Sequence, residues 1–321
     1  FLEHAIEVDV DALCDGKEVV IGGIMQHIEE AGIHSGDSAC ALPPFSLDKK
    51  IVDEIRRQTM ALALELGVSG LMNIQFAVKD DIIYLLEVNP RASRTSPFVS
   101  KATGRPLAKV AARVMAGKSL REIGVTEEIV PKHISVKESV FPFTKFPGVD
   151  TLLGPEMKST GEVMGIDKAF GKAFAKAQFG AGVRLPLSGT VFISIKDADK
   201  EETLDVARQM LAAGFEIMAT SGTAAYLNNH GVKTTRVNKV KEGRPHCVDA
   251  IKSNQVDLVF NTTFGAQSIL DSFSIRRNAL VYNVAYFTTV PGMQAAAEGI
   301  QAMQRETLDV TPIQEYHAPV G

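Results

Sequence analysis

The run 82-IIYLLEVNPRASR-94 begins as an apolar strand and ends with an acid, an amide and a base at every second position. Side chains two apart on a strand share a face. Glu87, Asn89 and Arg91 therefore project together if the strand persists through Pro90, which a strand end or edge tolerates. A carboxylate beside an amide oxygen suits a hard cation such as Mg²⁺, with phosphate oxygens completing the six-fold shell. A guanidinium one step further on suits a transferring phosphoryl group. Gln75 joins this face through a hairpin. If Lys79–Asp81 is a three-residue turn, Val78 pairs with Ile82, and Gln75 falls opposite Leu85 and diagonal to Glu87; a two-residue turn sends Gln75 to the other face. The chain has no GxxxxGK[ST] stretch, so such chemistry would run without a P-loop. Spacing alone leaves this reading level with that of a solvated strand end.

The elements that must hold these residues follow from the pattern. Residues 5–13 (AIEVDVDAL) alternate apolar and acidic, the period of a half-buried strand. VVIGGIMQHIEE continues as a second strand with a Gly-Gly break, followed by the polar loop 30-EAGIHSGDSA-39. Helical spacing runs over 48–66 and stops at Gly67, and a second helix runs from Pro106 to Gly117. Residues 71–78 and 82–88 read as the hairpin strands. The stretch 141–162 is loop-rich, with Pro142, Pro147, Gly148, Gly154, Pro155 and Gly161, and GAGVRLPLSG (180–189) reads as a linker.

From Thr190 onward the texture is regular. The strands TVFISI, FEIMAT, VKTTRV, VDLVF and ALVYNV alternate with helices, the last being PGMQAAAEGIQAMQ. Such alternation predicts a parallel sheet covered on both faces, a small flavodoxin-like three-layer α/β sandwich. Two domains are expected, 1–182 and 183–321. In the second, 219-ATSGTAA-225 and 260-FNTTFGA-266 put hydroxyl-rich loops at strand ends where helices open, a placement that suits phosphate. Lys200 and Lys239 would add positive charge. The plain alternative is N-capping by Ser221 and Thr263.

Composition narrows the function classes. A net charge of −4 leaves no basic footprint for nucleic acid, and the longest apolar runs are strand-sized, far short of a membrane span. Cys14, Cys40 and Cys247 form no paired motif and fit buried small hydrophobes in a reducing cytoplasm. Seven histidines show no paired metal spacing, so zinc is not expected. The chain opens on Phe and enters at once into FLEHAIEVDVDAL, which reads as the middle of a domain and hence as a piece of something longer.

Three long stretches carry a resemblance. NIQFAVKDDIIYLLEVNPRASRTSPFVSKATG resembles the metal- and ATP-binding core of an ATP-grasp domain. EVDVDALCDGKEVVIGGIMQHIEEAGIHSGDSA and KESVFPFTKFPGVDTLLGPEMKSTGEVMG narrow it to the large subunits of carbamoyl-phosphate synthetases, and the similarity runs through essentially the whole chain. The implied fold is an α+β ATP-grasp C-terminal lobe followed by an α/β methylglyoxal-synthase-like allosteric domain, at the C-terminal end of the subunit. The implied activity is ATP-dependent phosphorylation of carbamate to carbamoyl phosphate, for arginine and pyrimidine biosynthesis. The resemblance implies ATP and Mg²⁺ or Mn²⁺, and allows K⁺. It assigns Gln75, Glu87 and Asn89 to the metal ions, Arg91 to a catalytic phosphate contact, and Glu7 to the ATP ribose. Leu2 falls near the adenine, and the backbone of Gly32, Ile33, His34 and Ser35 lines the nucleotide pocket with Gln75 and Glu87.

In the second domain Lys200, Thr220, Thr223, Lys239, Asn261 and Thr263 match a nucleotide-monophosphate site for UMP or IMP. Gly265-Ala266-Gln267 replaces the loop that carries the catalytic Asp of methylglyoxal synthases, so lyase activity is not expected; familiar bacterial members carry arginines at 266–267. Glu29, Asp37, Glu138, Tyr286 and Thr288 match a site for ornithine at the junction of the two domains. The implied partners are a glutamine amidotransferase small subunit and further copies of the full enzyme. The first ATP-grasp lobe would precede Phe1, and the segment alone is expected not to turn over ATP. The competing readings are another ATP-grasp ligase, of the biotin-carboxylase or purine-synthesis kind, and a non-catalytic nucleotide-binding regulatory module. The sensor domain argues against the former.

Overall fold

The protein is described by a computed structural model covering residues 2, 4–146, 148–263 and 265–317; Pro147 and Phe264, which fall in two of the loops above, lie outside the described residues. The first sheet is built from β1 (Ile6–Asp15), β2 (Val19–Glu30), β3 (Cys40–Leu42), β4 (Ser69–Lys79), β5 (Ile82–Asn89), β6 (Ile134–Val140) and β7 (Gly161–Asp167). Its order is β5-β4-β1-β2-β3-β6-β7, antiparallel throughout.

One face carries Val8, Val10, Ala12, Ile74 and Phe76 and packs against Ile55 and Ala63 of α1 (Lys49–Glu65). The other face is divided. Its apolar half, with Leu13, Met25, Leu42 and Leu71, lies under α2 (Ser96–Thr103) and α3 (Leu107–Met115), followed by α4 (Leu120–Ile123). Its polar half holds Glu7, Asp9 and Asp11 of β1, which are 4%, 1% and 1% exposed. Period-two alternation marked these acids as the wet side of a half-buried strand; here both sides are buried.

Two details of register differ from the sequence-based expectation. The Gly-Gly pair of β2 does not break the strand. Asp11 pairs with Gly23 and Ala12 with Ile21, so Gly22 is the extra residue of a bulge. A Cβ at Gly23 would stand 2.6 Å from Leu42 and 2.8 Å from Val99, so only glycine lets the helical layer close on the sheet here. The β4–β5 turn has two residues, with Lys79 paired to Ile82 and Asp80 and Asp81 both at positive φ, 51° and 60°. This is the backbone of a tight primed turn. By itself it would send Gln75 to the wrong face. A bulge at Leu86 restores it: Phe76 pairs with Leu85, and then Gln75 with Glu87 and Asn73 with Asn89.

The second sheet is parallel: β8 (Thr190–Ser194), β9 (Glu216–Thr220), β10 (Thr235–Val237), β11 (Leu258–Asn261) and β12 (Ala285–Phe287) in the order β10-β9-β8-β11-β12. The layered parallel architecture is as expected. Within it the strand order is 3-2-1-4-5, where a flavodoxin runs 2-1-3-4-5. The described helices, in chain order, are α5 (Phe170–Gly180), ahead of this sheet, then α6 (Lys200–Ala212), α7 (Ser221–Asn229), α8 (Cys247–Lys252), α9 (Gly265–Val281), α10 (Val290–Arg305) and α11 (Ile313–Tyr316). None is long and apolar enough to cross a membrane.

The segment 279-ALVYNV-284, expected as a strand, is instead the last turn of α9 and its cap. Asn283 sits at φ 54°, its amide donating to Leu280 and the Val284 amide to Ala279, a left-handed helix stop in which asparagine replaces the usual glycine. The strand follows it, at 285–287.

The two sheets share one core. Phe170, Ala173, Phe174 and Ala177 of α5 are buried in the same cluster as Met293, Ala296 and Ile300 of α10 and Val191 and Ile193 of β8. The helices approach so closely that a Cβ at Gly171 would lie 2.8 Å from the Glu298 carbonyl oxygen. A second tie is ionic: Arg276 of α9 is fully buried, and its Nε donates to Asp150 Oδ1 at 2.8 Å, with Nη2 bonded to the second carboxylate oxygen.

Candidate functional site

Across β1, β4 and β5 the antiparallel register lines up polar side chains on one face. Asp9 stands opposite Gln75 and Gln75 opposite Glu87; Asp11 stands opposite Asn73 and Asn73 opposite Asn89. Glu87 is exposed and accepts a bond from Asn89 Nδ2 at 2.8 Å. Gln75 Nε2 reaches Ser35 Oγ at 3.3 Å, so the loop after β2 leans over the same face. Arg91 is exposed, its Nη1 donating to the Ala92 carbonyl at 3.1 Å. The donors that meet here are one carboxylate and two side-chain amides, all hard oxygen ligands, which fits Mg²⁺ or Mn²⁺ and disfavours softer metals.

The rim of this face is set by Glu7 and the loop. Burial raises the Glu7 carboxyl above the usual carboxylate range, opposed by His27 and by the Gly32 amide that it accepts. Gly32 is exposed, and Leu2, Ile33, His34 and Ser35 are half-buried. His34 is pinned by the Gly36 amide on Nδ1 at 2.9 Å and by its own amide on the Gly154 carbonyl at 2.9 Å.

Beneath the face lie residues that sequence reasoning passed over. His27 Nε2 lies 3.2 Å from Asp9 Oδ2, and its Nδ1 lies 3.9 Å from Glu7. Burial alone would lower the His27 imidazole, yet its bond to Asp9 and the charge of Glu7 hold it above the ordinary value. Lys137, 1% exposed, donates to the Ser35 carbonyl at 3.0 Å. The acidic alternation of 7-EVDVD-11 was the signal for the first group; nothing in the sequence around Lys137 marks it as buried.

In the second sheet the predicted nucleotide residues gather at the carboxyl ends of β9, β8 and β11. Thr220 Oγ1 bonds Ser194 Oγ at 3.2 Å, and Asn261 Nδ2 bonds the Ser194 carbonyl at 3.0 Å, leaving the buried Asn261 Oδ1 without a partner among the described residues. Thr223 Oγ1 accepts the Ile195 amide at 3.2 Å. Lys200 Nζ lies 2.6 Å from Asp197, whose carboxyl that bond holds low, with Lys239 adding a smaller charge effect on the same group. Thr263 is half-buried beside the start of α9. Plain capping by Ser221 does not hold at α7. The N-cap of α7 is Thr220, its side chain makes no cap bond, and Ser221 is already the first helical residue. The side chain of Ala266 lies outside the described residues.

Between the sheets is a cavity of about 350 Å³ lined by Glu29, Glu138, Gln178, Tyr286 and Thr288 among others. Burial pushes Glu138 up to about 8, reinforced by the carboxylate of Glu29, whose own value burial also raises. Gln178 Nε2 donates to Glu138 at 2.5 Å, and Ser38 Oγ and the Ala39 amide donate to Glu29 at 2.8 and 2.7 Å. Four of the five residues expected at this junction thus meet. Asp37 does not line the cavity; its carboxylate is spent on the amides of Lys158 and Ser159, at 2.7 and 2.9 Å.

Residues 1–123 match the family model described as "Carbamoyl-phosphate synthase L chain, ATP binding domain", and 202–288 match that of the "MGS-like domain". The chain is 60% identical over 318 residues to the carbamoyl phosphate synthase large chain of Pseudomonas putida, and 59% identical over 318 residues to that of Pasteurella multocida. Each match covers 99% of this chain and 30% of the relative, so the chain spans under a third of the length of these curated relatives. Among solved structures, the biotin carboxylase domain of a single-chain bacterial carboxylase aligns with 56% of this chain and 47% of that one, at 19% identity and a TM-score of 0.45.

Proposed function

Because the chain belongs to the carbamoyl phosphate synthase large-chain family, we propose that it provides the active-site floor and the effector-sensing end of an ATP-dependent ligase that phosphorylates carbamate to carbamoyl phosphate. Its first part is the C-terminal lobe of an ATP-grasp domain and its last part an MGS-like domain, and we set their boundary at 182/183. The observation that carries the reading is the row Gln75–Glu87–Asn89, assembled by a bulge in an edge strand next to Glu7 and the Ser35 loop.

Gln75, Glu87 and Asn89 would hold the divalent ions. When bound, such an ion supplies charge neutralisation between the phosphates of ATP. Glu7 at the rim accepts the ribose hydroxyls, and the backbone of residues 32–35 approaches the nucleotide closely. A carbamate oxygen attacks the γ-phosphorus as ADP leaves, a step that needs positioning and electrostatic support more than covalent help. Arg91 offsets charge on the equatorial oxygens. This floor works with an opposing lobe of the longer protein, so the segment alone does not turn over ATP.

In the second domain the Thr220–Ser194–Asn261 row, with Thr223, Thr263, Lys200 and Lys239, takes a nucleotide monophosphate such as UMP or IMP. The acidic junction cavity takes ornithine, its ammonium groups answering Glu29 and Glu138. A glutamine-hydrolysing small subunit would supply the nitrogen, with K⁺ as a supporting ion, further copies of the enzyme as neighbours, and the cytoplasm as the setting that three free buried cysteines fit. The test is Glu87→Gln in the full-length large chain. Carbamoyl phosphate synthesis at modest Mg²⁺ should fall about 100-fold or more; a rate near that of the parent refutes the reading.

A further inference from the structure

We infer that Asp11 is a positioning residue for the Glu87–Asn89–Arg91 face, bracing the strand that carries it and the loop that follows it at the same time. The inference rests on the function proposed above. Asp11 is 1% exposed, and both its oxygens are engaged. Oδ1 accepts from Asn73 Nδ2 at 3.0 Å, and Asn73 is the cross-strand partner of Asn89. Oδ2 accepts from Thr95 Oγ1 at 2.8 Å, and Thr95 is the N-cap residue of α2, four positions after Arg91.

The loop between is tied to the same point. Thr95 Oγ1 lies 2.9 Å from Ser93 Oγ, which accepts the Ser96 amide at 2.9 Å, while Ser96 Oγ donates to the Ser93 carbonyl at 3.0 Å. These contacts matter because little else holds the face still. β5 is an edge strand paired only with β4, and all eight of its residues, Ile82–Asn89, are exposed or half-exposed. The Arg91 guanidinium meets only its neighbour's carbonyl among the described residues.

A purely structural position would do better with an apolar side chain. Leu13, two residues on and on the same side of β1, packs directly under the helical layer. A buried carboxylate is retained where its hydrogen bonds fix a geometry that packing would leave loose, at a cost in desolvation. Burial pushes Asp11 up to about 6 despite those bonds, which is consistent with a site kept for position.

Two measurements test the brace. In the 321-residue chain itself, Thr95→Val should speed hydrogen exchange of the amides of residues 91–96 by about 10-fold, the scale of one lost bond to a charged group, with the amides of β1 unchanged. In the full-length large chain, Asp11→Ala should lower kcat by about 100-fold, the scale of an ångström-sized misplacement, with little change in the KM for ATP because the ribose and adenine grips lie elsewhere. Asp11→Asn should recover most of that loss, since Asn accepts from Asn73 and donates to the Thr95 hydroxyl. Exchange in Thr95→Val equal to the parent overturns the inference, even if Asp11→Ala does not fold. So does a kcat loss that Asp11→Asn fails to relieve. If Glu87→Gln is fully active, the function reading fails, and the exchange result still decides whether the brace exists.

Discussion

Glu138→Gln should make the protein more stable and its junction cavity blind to cations. Glu138 is buried beside Glu29, and burial moves its carboxyl from 4.5 to about 8. At about 1.4 kcal/mol per pH unit, ionising it in place costs on the order of 5 kcal/mol. The folded protein keeps a proton that the unfolded chain releases above pH 4.5, so the carboxyl contributes less and less stability as pH rises through that window to about 8. Glutamine fills the same volume without the titration. The stability of the wild type minus that of Glu138→Gln, from urea unfolding between pH 4.5 and 8.5, should therefore fall with pH by about 3 to 5 kcal/mol. Ornithine binding should reverse the cost: its ammonium favours the ionised carboxylate, so binding to wild type at pH 7 should release close to one proton, measured by calorimetry in two buffers of different ionisation enthalpy. Binding to Glu138→Gln should fall at least about 10-fold. Unfolding curves that shift in parallel across this pH range, or binding without proton release, would refute the claim that Glu138 is neutral in the empty cavity.

Two other variants probe the remaining ties. Asp150→Asn should cost about 3 kcal/mol in urea unfolding, because it strands the fully buried Arg276 without its charge partner; a loss below about 1 kcal/mol would mean the pair is effectively solvated. Asn261→Ala removes a buried amide oxygen that has no partner among the described residues at the strand ends, and UMP titrated into the chain should bind about 10-fold more weakly. Equal heats for parent and variant would place the nucleotide elsewhere.

Much of this was legible in the sequence. Strands and helices announce themselves where hydrophobic period and stop signals agree, as in α1 and its halt at Gly67 or the β-α alternation after Thr190. The failures share a cause. Asp80-Asp81 adopts the left-handed turn that Asn-Gly normally signals, and a bulge at Leu86 then cancels its effect, so two misreadings of register compensated and Gln75 still reached Glu87. ALVYNV has strand composition, but it forms the last turn of a helix that Asn283 ends, with Ala279 buried and Val281 and Tyr282 turned to solvent. The burial of Asp9, Asp11, His27 and Lys137 was not legible, because alternation tells which residues share a face and not what covers that face. Asp37 came to the cavity by the family resemblance rather than by pattern, and its carboxylate is turned instead to two amides.

The packing of α5 on α10 has a consequence for anyone who would transplant the MGS-like domain. The obvious cut is the loop 181–189, where the chain passes from one sheet to the next. Yet α5 lies on the near side of that cut, and its Gly171 is pressed against the Glu298 carbonyl on the far side. A chimera joined at the loop would mate an α5 from one parent with an α10 from another, and any side chain in place of Gly171 would wedge them apart. Joined ahead of α5, near residue 168, the helix pair travels intact and the junction falls on an exposed turn, but α5 then meets a foreign β7, where a Cβ at Gly165 would lie 2.1 Å from the Ala173 carbonyl oxygen. α5 is wedged between the two sheets, so neither cut leaves all of its packing native.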